Sequence, residues 1–283
     1  MSATMLALHA HPDDESSKGA ASVARLVDEG VRAILVTATG GEAGDILNPV
    51  MDRSEITQRL AEIRASELAE AASIIGYDEV VMLGYRDSGM PDSDDNGRSD
   101  VFRNQPLDVV LGAVVEIVRR ERPSVVLGYD AHEFYPHPDH LRVHEVTLEL
   151  VAAAADPDRY PAAGDPWQIE KLYAPVFTRE RLVVLHEAML ERTGESPLVA
   201  WLERLGDFHV PDRRLMRFDV TGYVEQGRDA LRAHRTQVDP NGFWFAVPTD
   251  VVESVYPWED FELLYSQGPW DAAETHLFSG IDV

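Results

Sequence analysis

The sequence predicts an α/β protein with a Rossmann-like, doubly wound and mostly parallel sheet, followed by a smaller C-terminal part that is helical or irregular. Three observations predict this class. Short apolar runs alternate with helix-length segments, and these runs are apolar on both faces, as in strands that helices cover on both sides. The chain has 283 residues, of which 45% are hydrophobic and 27% charged, which is typical of a globular protein with a sizeable core.

A βαβ unit is predicted at the start of the chain. The apolar run at 4–10 predicts the first strand, and the run at 31–37 predicts the second. A helix is expected between them at about 17–29, with Ser16 or Ser17 as its N-cap. The further helices are expected at about 53–75, 106–121 and 138–155, and the further strands at 79–83, 124–127 and 170–177.

The regular alternation weakens after residue 155. Residues 156–167 contain three prolines and a glycine, which favours a surface loop. A helical excursion at 178–215 precedes a strand at 215–220 and a helix at 222–236, and the tail from Asn241 is rich in Phe and Trp without clear periodicity. The expected organisation is a catalytic domain at 1–177 completed by 215–240, with a smaller substrate-pocket or lid region at 178–214 and 241–283.

Composition and charge exclude several classes of function. The chain has no cysteine, so a metal ion would have to be held by His, Asp or Glu. A formal net charge of −25 disfavours nucleic acid and anionic membranes as partners, which leaves a small-molecule substrate. The apolar stretch at 5–8 is too short for a signal peptide or a membrane span, so a cytoplasmic location is expected. The oligomeric state does not follow from the sequence.

The strongest functional signal is the A-H-P-D-D-E run at residues 10–15, which ends the first predicted strand. It places His11, Asp13, Asp14 and Glu15 at a carboxyl strand end, where α/β folds bind ligands. Taken alone, the run is also consistent with a solvated turn that caps the next helix.

A second run of the same kind favours the functional interpretation. The sequence Y-P-H-P-D-H at 135–140 follows another predicted strand and opens the next helix. Parallel strands share one functional edge, so the two runs are expected to face one crevice. A mixed His and Asp set suits zinc with three protein ligands and an open position for water, and such a site predicts metal-assisted hydrolysis.

The roles within this set can be divided by chemistry. One carboxylate is needed as a ligand and another as general base, and Asp13 and Asp14 are adjacent candidates, with Glu15 as the next. His137 could stabilise an oxyanion or protonate a leaving amine, and Asp139 could orient that imidazole.

These two runs resemble the paired signatures of the LmbE-like, PIG-L-type zinc-dependent de-N-acetylases, and the segment 230–237 resembles that family more weakly. The resemblance implies one Zn²⁺ per chain, with Fe²⁺ as the alternative in the cell. It implies His11, Asp14 and His140 as the ligands. It also implies Asp13 as general base and His137 as the group that assists at the oxyanion and leaving group.

Within the family, the segment 11–19 is similar to mycothiol S-conjugate amidases. Lys18 stands where the related deacetylase of mycothiol biosynthesis typically has a small residue. The resemblance implies cleavage of the amide between glucosaminyl-inositol and the N-acetylcysteine part of an S-conjugate, which releases a mercapturic acid. Arg64, Asp87 and Met90 match positions that line the sugar pocket, and Tyr135 matches a mobile tyrosine near the metal.

Several alternatives stay open. The nearest is deacetylation of N-acetylglucosaminyl-inositol, and the remote ones are a sugar-binding or a dinucleotide-binding protein, although the glycines at 40–44 do not form G-x-G-x-x-G. His144 lacks the neighbouring Glu of a zincin pair, and His9 is expected to be buried against the sheet. Lys18 is either a surface lysine or a substrate contact, and the aromatic residues 243–245 belong either to the core or to the pocket wall.

Overall fold

The computed structural model describes residues 3–131, 135–206 and 213–282, and these residues form one sheet of seven strands. The strands are β1 (Thr4–His9), β2 (Arg32–Thr39), β3 (Glu79–Tyr85), β4 (Val125–Leu127), β5 (Lys171–Val176), β6 (Leu215–Asp219) and β7 (Trp258–Ser266). They lie in the order β3-β2-β1-β4-β5-β7-β6. The pairs among β1 to β5 are parallel, and β7 pairs antiparallel with both β5 and β6. The predicted α/β class with a mostly parallel sheet is confirmed.

Strand β1 lies in the middle of the parallel part of the sheet. Its Ala7 pairs with Leu35 of β2 on one side and with Leu127 of β4 on the other. The chain winds outward from β1 to β2 and β3, and then returns to the other side through β4 and β5. The carboxyl ends of β1 and β4 therefore flank the point where the winding direction changes, which is where open α/β sheets bind ligands.

The described residues form ten α-helices. They are α1 (Asp14–Ser17), α2 (Ala20–Asp28), α3 (Ser54–Thr57), α4 (Leu60–Ile75), α5 (Leu107–Glu121), α6 (Pro138–Ala155), α7 (Arg179–Thr193), α8 (Val199–Leu205), α9 (Val224–Ala233) and α10 (Thr249–Val255). The cores on the two faces of the sheet contain residues of α2, α7 and α9 on one face and of α5 and α6 on the other. Within the described part of the chain, no helix combines the length and the apolar character that crossing a membrane requires.

Strands β1, β2, β4 and β5 are buried on both faces, which explains why they read as continuous apolar runs. Met5 and Ala7 of β1 belong to a core with residues of α2, α7 and α9, whereas Leu6 and Leu8 belong to a core with residues of α5 and α6. Alternate side chains of a strand point to opposite faces, so β1 contributes to both cores.

Two helices that the sequence predicted as continuous are interrupted. The helix predicted at 17–29 corresponds to α2, and Gly19, with a positive φ of 93°, separates it from the short α1, which begins before the predicted span. Ser16 and Ser17 lie inside α1 and are not N-caps, so that prediction was wrong. The prediction at 53–75 is similarly divided into α3 and α4.

The tail differs from the irregular segment that the sequence suggested. It forms α10 and then β7, which inserts between β5 and β6 and buries Phe261 and Leu263. This strand is stabilised by antiparallel pairing with segments distant in sequence, and local periodicity does not reveal such pairing. Residues 258–266 therefore belong to the sheet, while the wider division into catalytic domain and lid region stays a prediction.

Candidate metal and active site

The turn after β1 has an unusual backbone conformation. Asp13 has a φ of 114°, and its carbonyl oxygen accepts hydrogen bonds from the N–H groups of Ser16 and Ser17. The backbone N–H of His11 donates to Oδ2 of Asp14 at 2.9 Å. These bonds wrap the chain around the strand end, so His11 and Asp14 are buried at the crevice.

The second histidine segment has regular local geometry. His137 is the N-cap of α6, and its Nδ1 accepts a hydrogen bond from the backbone N–H of Asp139 at 3.2 Å. Pro138 occupies the first turn, where its missing N–H carries no cost. The start of the helix therefore places Asp139 and His140 in one buried turn beside His137.

The described residues bring together two groups of three side chains that could hold a metal ion. One group is His11, His137 and His140, and the other is His11, Asp87 and Asp139, with donor atoms within 4.8 Å of one another in each group. All five side chains are buried. Imidazole and carboxylate donors without thiolate fit Zn²⁺ or Fe²⁺, so the donor chemistry agrees with the metal that the sequence predicted.

Asp14 lies between the two predicted histidine ligands. Its Oδ2 is 3.3 Å from Nδ1 of His11, and its Oδ1 is 3.3 Å from Nε2 of His140. Asp14 is nevertheless in neither metal group, and His137 is in one of them. The ligand set His11, Asp14 and His140 therefore stays a prediction, with His137 as the competing third ligand.

The charges in this cluster are strongly coupled. Burial disfavours a charged imidazolium, but the carboxylates of Asp87 and Asp139 outweigh burial and raise the pKa of His11 well above its usual value. Burial and the neighbouring His11 lower the pKa of His137 from 6.5 to about 4. Burial also lowers the pKa of His140. His137 is therefore a neutral imidazole near pH 7, and its bonded Nδ1 places the proton on Nε2.

Asp13 faces the cleft as the sequence analysis expected of a general base. Its Oδ2 accepts a hydrogen bond from Nη2 of Arg64 at 3.0 Å. Burial raises the pKa of Asp13, although Arg64 opposes this effect. A carboxylate with a raised pKa is better suited to accept a proton near neutral pH.

Arg64 is buried and binds the turn as well as the cleft. It donates to the carbonyl oxygens of Gly41 at 2.6 Å and Pro12 at 2.5 Å. The glycine-rich loop at 40–44 therefore surrounds this guanidinium group. Its Gly44 also lines the cleft.

Lys18 is not a surface lysine, because its side chain is only 13% exposed. Its Nζ lies 2.5 Å from Oδ1 of Asp14 and 5.2 Å from the ring centre of Tyr129. The ammonium group therefore stands beside a predicted metal ligand and lines the cleft.

The cleft has a volume of about 580 Å³ and two chemically different sides. We define the polar side by residues that follow β2 and β3 together with one from α4: Ala43, Gly44, Arg64, Asp87, Gly89 and Met90. We define the aromatic side by four aromatic residues that follow β5 or lie in later segments: Phe177, Trp201, Phe243 and Trp244. In the sheet, β1 and β4 lie between β2 and β5, so the histidine cluster stands between the two sides.

The aromatic side is a chain of ring contacts. Trp201 of α8 lies 4.4 Å from Phe243, which lies 5.6 Å from Trp244, and Trp244 lies 5.8 Å from Phe177, all between ring centres. Phe177 is 53% exposed and Trp244 is 37% exposed. The structure thus places Phe243 and Trp244 in the cleft wall. The sequence had left open whether these rings belong to the core or to the wall of the pocket.

The remaining predicted residues lie near the cluster. Tyr135 stacks on His137 with ring centres 6.2 Å apart, and its hydroxyl lies 3.6 Å from Sδ of Met90. His9 is buried against the sheet, as expected, with Nδ1 3.0 Å from the Tyr129 hydroxyl. His144 contacts the carbonyl oxygen of Tyr129 at 2.7 Å and, among the residues that can be described, belongs to neither metal group.

Sequence reasoning missed two supporting contacts. Ser88 donates its N–H and hydroxyl to Asp139. His234 lies 2.6 Å from Glu15, which is fully buried and therefore unsuited to act as a base in the cleft. The segment 230–237 resembles the PIG-L-type family weakly, but nothing in its sequence indicates that its His234 contacts Glu15.

Comparison with known proteins identifies the family of the chain. The sequence model of the family described as PIG-L: GlcNAc-PI de-N-acetylase matches residues 6–151. The mycothiol S-conjugate amidase of Streptomyces coelicolor is 40% identical over 284 residues, which cover 98% of this chain and 97% of that protein. The 1D-myo-inositol 2-acetamido-2-deoxy-alpha-D-glucopyranoside deacetylase of Thermobifida fusca is 35% identical and covers 97% of this chain and 98% of that protein.

A solved structure shares the fold. The N,N'-diacetylchitobiose deacetylase from Pyrococcus horikoshii, complexed with its inhibitor, is similar with a TM-score of 0.63 at 21% identity. The similarity covers 92% of this chain and 83% of that chain. At this identity the comparison establishes the common architecture.

Proposed function

This chain belongs to the PIG-L family of de-N-acetylases and is a hydrolytic enzyme, and we propose that it is a mycothiol S-conjugate amidase. The reaction cleaves the amide between glucosaminyl-inositol and the N-acetylcysteine part of an S-conjugate. It releases a mercapturic acid, which is a step of thiol detoxification. A small-molecule substrate and a cytoplasmic location are part of the same proposal.

The aromatic side of the cleft is the observation that carries this choice. An amide substrate has two parts, and the cleft has two sides with the histidine cluster between them. The polar side suits the hydroxyl groups of glucosaminyl-inositol. An acetyl group is too small to cover the exposed rings of Phe177 and Trp244, whereas a cysteinyl conjugate with its S-substituent reaches them. Exposed aromatic groups in a concave site favour the larger substrate.

The donor set fits a divalent ion, and we assign it to His11, Asp14 and His140, with zinc as the ion and Fe²⁺ as the alternative in the cell. An ion bound there supplies a Lewis acid that polarises the amide carbonyl and lowers the pKa of water. Asp13 removes a proton from the attacking water as the oxygen bonds to the carbonyl carbon. Its raised pKa lets it hold this proton and transfer it to the leaving nitrogen as the C–N bond breaks.

His137 acts on the developing negative charge. Its Nδ1 accepts the N–H of Asp139, so Nε2 carries the proton and donates a hydrogen bond to the carbonyl oxygen in the transition state. The carboxylate of Asp139, which the sequence analysis expected to orient His137, contacts His11 and Ser88 instead. The backbone N–H of Asp139 is the group that bonds to His137. Tyr135 stacks on His137, and we assign it a part in the reaction beside this group.

The second candidate is deacetylation of N-acetylglucosaminyl-inositol, which the 35% identical relative favours. The two reactions share the metal, the base and the polar side, where Arg64, Asp87 and Met90 contact the sugar. They differ in the acyl group. Lys18 lies in the cleft beside Asp14, where its ammonium group reaches the carbonyl or carboxylate oxygens of a cysteinyl conjugate.

The deciding experiment measures metal content and then the release of free amine from a mycothiol S-conjugate and from N-acetylglucosaminyl-inositol. We expect a larger kcat/KM for the conjugate. Lys18→Ser should lower kcat/KM for the conjugate by about tenfold or more, the effect of a charged hydrogen bond, and leave deacetylation unchanged or improved.

The chain's other lysine provides the matched control. Lys171 lies at the start of β5, outside the cleft, so Lys171→Met should leave the ratio of the two activities unchanged. Hydrolysis of N-acetylglucosaminyl-inositol alone would contradict the amidase proposal. Equal losses on both substrates in Lys18→Ser would instead make Lys18 a general site residue and not a contact to the cysteinyl part.

A further inference from the structure

Asp13 has a backbone conformation that its surroundings must enforce. Among the described residues other than glycine, positive φ angles occur at Asp13, Arg122 and Tyr160. Arg122 and Tyr160 have values of 53° and 52°, within the left-handed helical region, whereas Asp13 has 114°. Such a conformation costs free energy and persists only where neighbouring groups hold it. The group that is held in this way is the proposed general base.

Glu15 contacts the turn from within. Its Oε2 accepts the backbone N–H of Asp13 at 2.9 Å, and its Oε1 accepts the hydroxyl of Ser16 at 2.5 Å. The side chain of Glu15 is fully buried. A buried carboxylate is stable only when it is paired and hydrogen-bonded, so this contact depends on a partner.

That partner is His234, which is also fully buried. Its Nε2 lies 2.6 Å from Oε1 of Glu15, although the two residues are separated by 219 positions in the chain. Each oxygen of Glu15 therefore has a different function: Oε2 holds the backbone of Asp13, and Oε1 is held by His234 and Ser16.

The position of His234 is itself fixed by helix α4. Thr236, two residues later, donates its N–H at 2.9 Å and its hydroxyl at 2.7 Å to Glu67 of α4. Arg64, one turn earlier on α4, binds the side chain of Asp13. Helix α4 thus supports the turn in two ways. Arg64 contacts Asp13 directly, and Glu67 acts indirectly through the segment that carries His234.

We propose that the Glu15–His234 pair is a positioning device that holds Asp13 in its positive-φ conformation and aims its carboxylate into the cleft. The inference rests on the proposed function, because it takes Asp13 as the base of the amide hydrolysis. It assigns a role to the segment 230–237, which lies outside the two metal motifs. His234 acts through Glu15 and does not contact the substrate.

The test compares three variants of His234 in the full-length, metal-loaded enzyme. In His234→Gln the amide N–H of the longer side chain still reaches Glu15, whereas in His234→Leu no donor remains. His234→Asn is polar but too short, and it serves if the leucine variant does not fold. We expect His234→Leu and His234→Asn to lower kcat at least tenfold, with KM within twofold and zinc per chain unchanged, and His234→Gln to recover most of the loss.

A matched control separates positioning from general stability. Buried Lys171 and half-buried Glu274 form another ion pair, 2.6 Å apart, outside the cleft. Lys171→Met removes that pair and should lower the melting temperature without lowering kcat. If Lys171→Met and His234→Leu lose kcat equally, or if His234→Gln fails to recover it, the pair is structural only.

Amide hydrogen exchange provides a measurement that does not depend on the substrate. The N–H of Asp13 should exchange at least tenfold faster in His234→Leu than in the wild type or His234→Gln, because its acceptor is released. Unchanged exchange would overturn the inference even in an enzyme whose substrate differs from the one proposed. Conversely, a wild type that hydrolyses neither amide but shows faster exchange in His234→Leu would reject the proposed function and keep the positioning role of His234.

Discussion

The polar and aromatic sides of the cleft are built in different ways. On the polar side, Arg64 and Asp87 are buried and bonded to backbone groups of the loops around them. On the aromatic side, Phe177 and Trp244 contact each other but expose much of their surface. Hydrogen bonds are directional, so they hold the side chains of the polar side in one geometry. Contacts between aromatic rings are less directional, so the rings of the aromatic side can shift slightly without losing them.

This difference indicates a division of labour between the two sides. The groups that do chemistry need fixed positions, because small displacements of reacting groups cost large factors in rate. The aromatic side, which we propose binds the variable S-substituent, instead needs a large apolar surface whose rings can adjust to different groups. We therefore expect substitutions in the cluster and on the polar side to affect every substrate, and substitutions on the aromatic side to affect only some.

The largest expected effect is loss of the metal. His11→Ala, Asp14→Asn and His140→Ala should each weaken zinc binding by at least the roughly 10–100-fold that changes around a metal site commonly cost, and activity should fall with it. Zinc per purified chain, measured by elemental analysis, is the readout. His144→Ala is the control, since His144 lies one turn further along α6 and contacts a backbone carbonyl.

The same set of variants tests the competing ligand group. If His137→Ala loses zinc and Asp14→Asn retains it, the ligands are His11, His137 and His140. If all of these variants keep their zinc, the ion binds elsewhere.

Asp13→Asn should have the next largest effect, on turnover alone. Zinc should be retained because Asp13 is not a proposed ligand, while kcat should fall by roughly 10²–10⁴, the usual contribution of general acid–base catalysis. The amide keeps an oxygen that can accept the hydrogen bond from Arg64, so the turn should stay in place. Near-normal kcat per bound zinc would show that another group removes the proton.

The histidine cluster could be predicted from the sequence more completely than the aromatic side. His11, Asp14, His137 and His140 could be predicted because their types and spacing are local, and because β1 and β4 are recognisable as strands that end beside them. The aromatic side was predicted only in part: residues 243–245 were expected in the core or in the pocket wall, but Phe177 and Trp201 were not singled out. Its four rings come from three separate segments without periodicity, and only tertiary packing brings Trp201 against Phe243.

The fold was predictable to a similar degree. Strands β1, β2, β4 and β5 were recognised because burial on both faces makes them continuous apolar runs. Strand β7 was missed because antiparallel pairing with β5 and β6, and not its own pattern, makes it a strand. The contact between Glu15 and His234 was missed for the same reason, since nothing in either segment indicates its partner.

Gly41→Ala should have an intermediate effect, because the polar side has no room for a methyl group there. A Cβ at Gly41 would lie 2.3 Å from Cζ of Arg64, and the backbone has a φ of 66°. Arg64 must move, and Asp13 then loses its side-chain partner. We expect kcat to fall for both amides, by up to about 10²-fold, the cost of misplacing a reacting group by about 1 Å.

Gly128→Ala is the control for this substitution. Its Cβ would lie 2.6 Å from Oγ1 of Thr147, so it introduces a comparable clash in the core beneath the site. It should lower the melting temperature more than kcat. If Gly41→Ala changes stability but leaves kcat intact, Arg64 does not position the base.

The smallest and most selective effect is expected at Trp244. Its ring is 37% exposed and borders the cleft, so Trp244→Ala should fold normally and remove part of the aromatic side. For conjugates with an aromatic S-substituent, kcat/KM should fall about 3- to 10-fold, since an aromatic pair contributes about 0.5–1.5 kcal/mol beyond area. Conjugates with an S-methyl group and N-acetylglucosaminyl-inositol should be hydrolysed as before, because neither reaches the ring. Steady-state kinetics on the three substrates is the measurement. An equal fall in kcat/KM for all three would make the aromatic side a structural wall. A fall confined to the aromatic conjugate would show that the two sides of the cleft bind the two halves of the substrate.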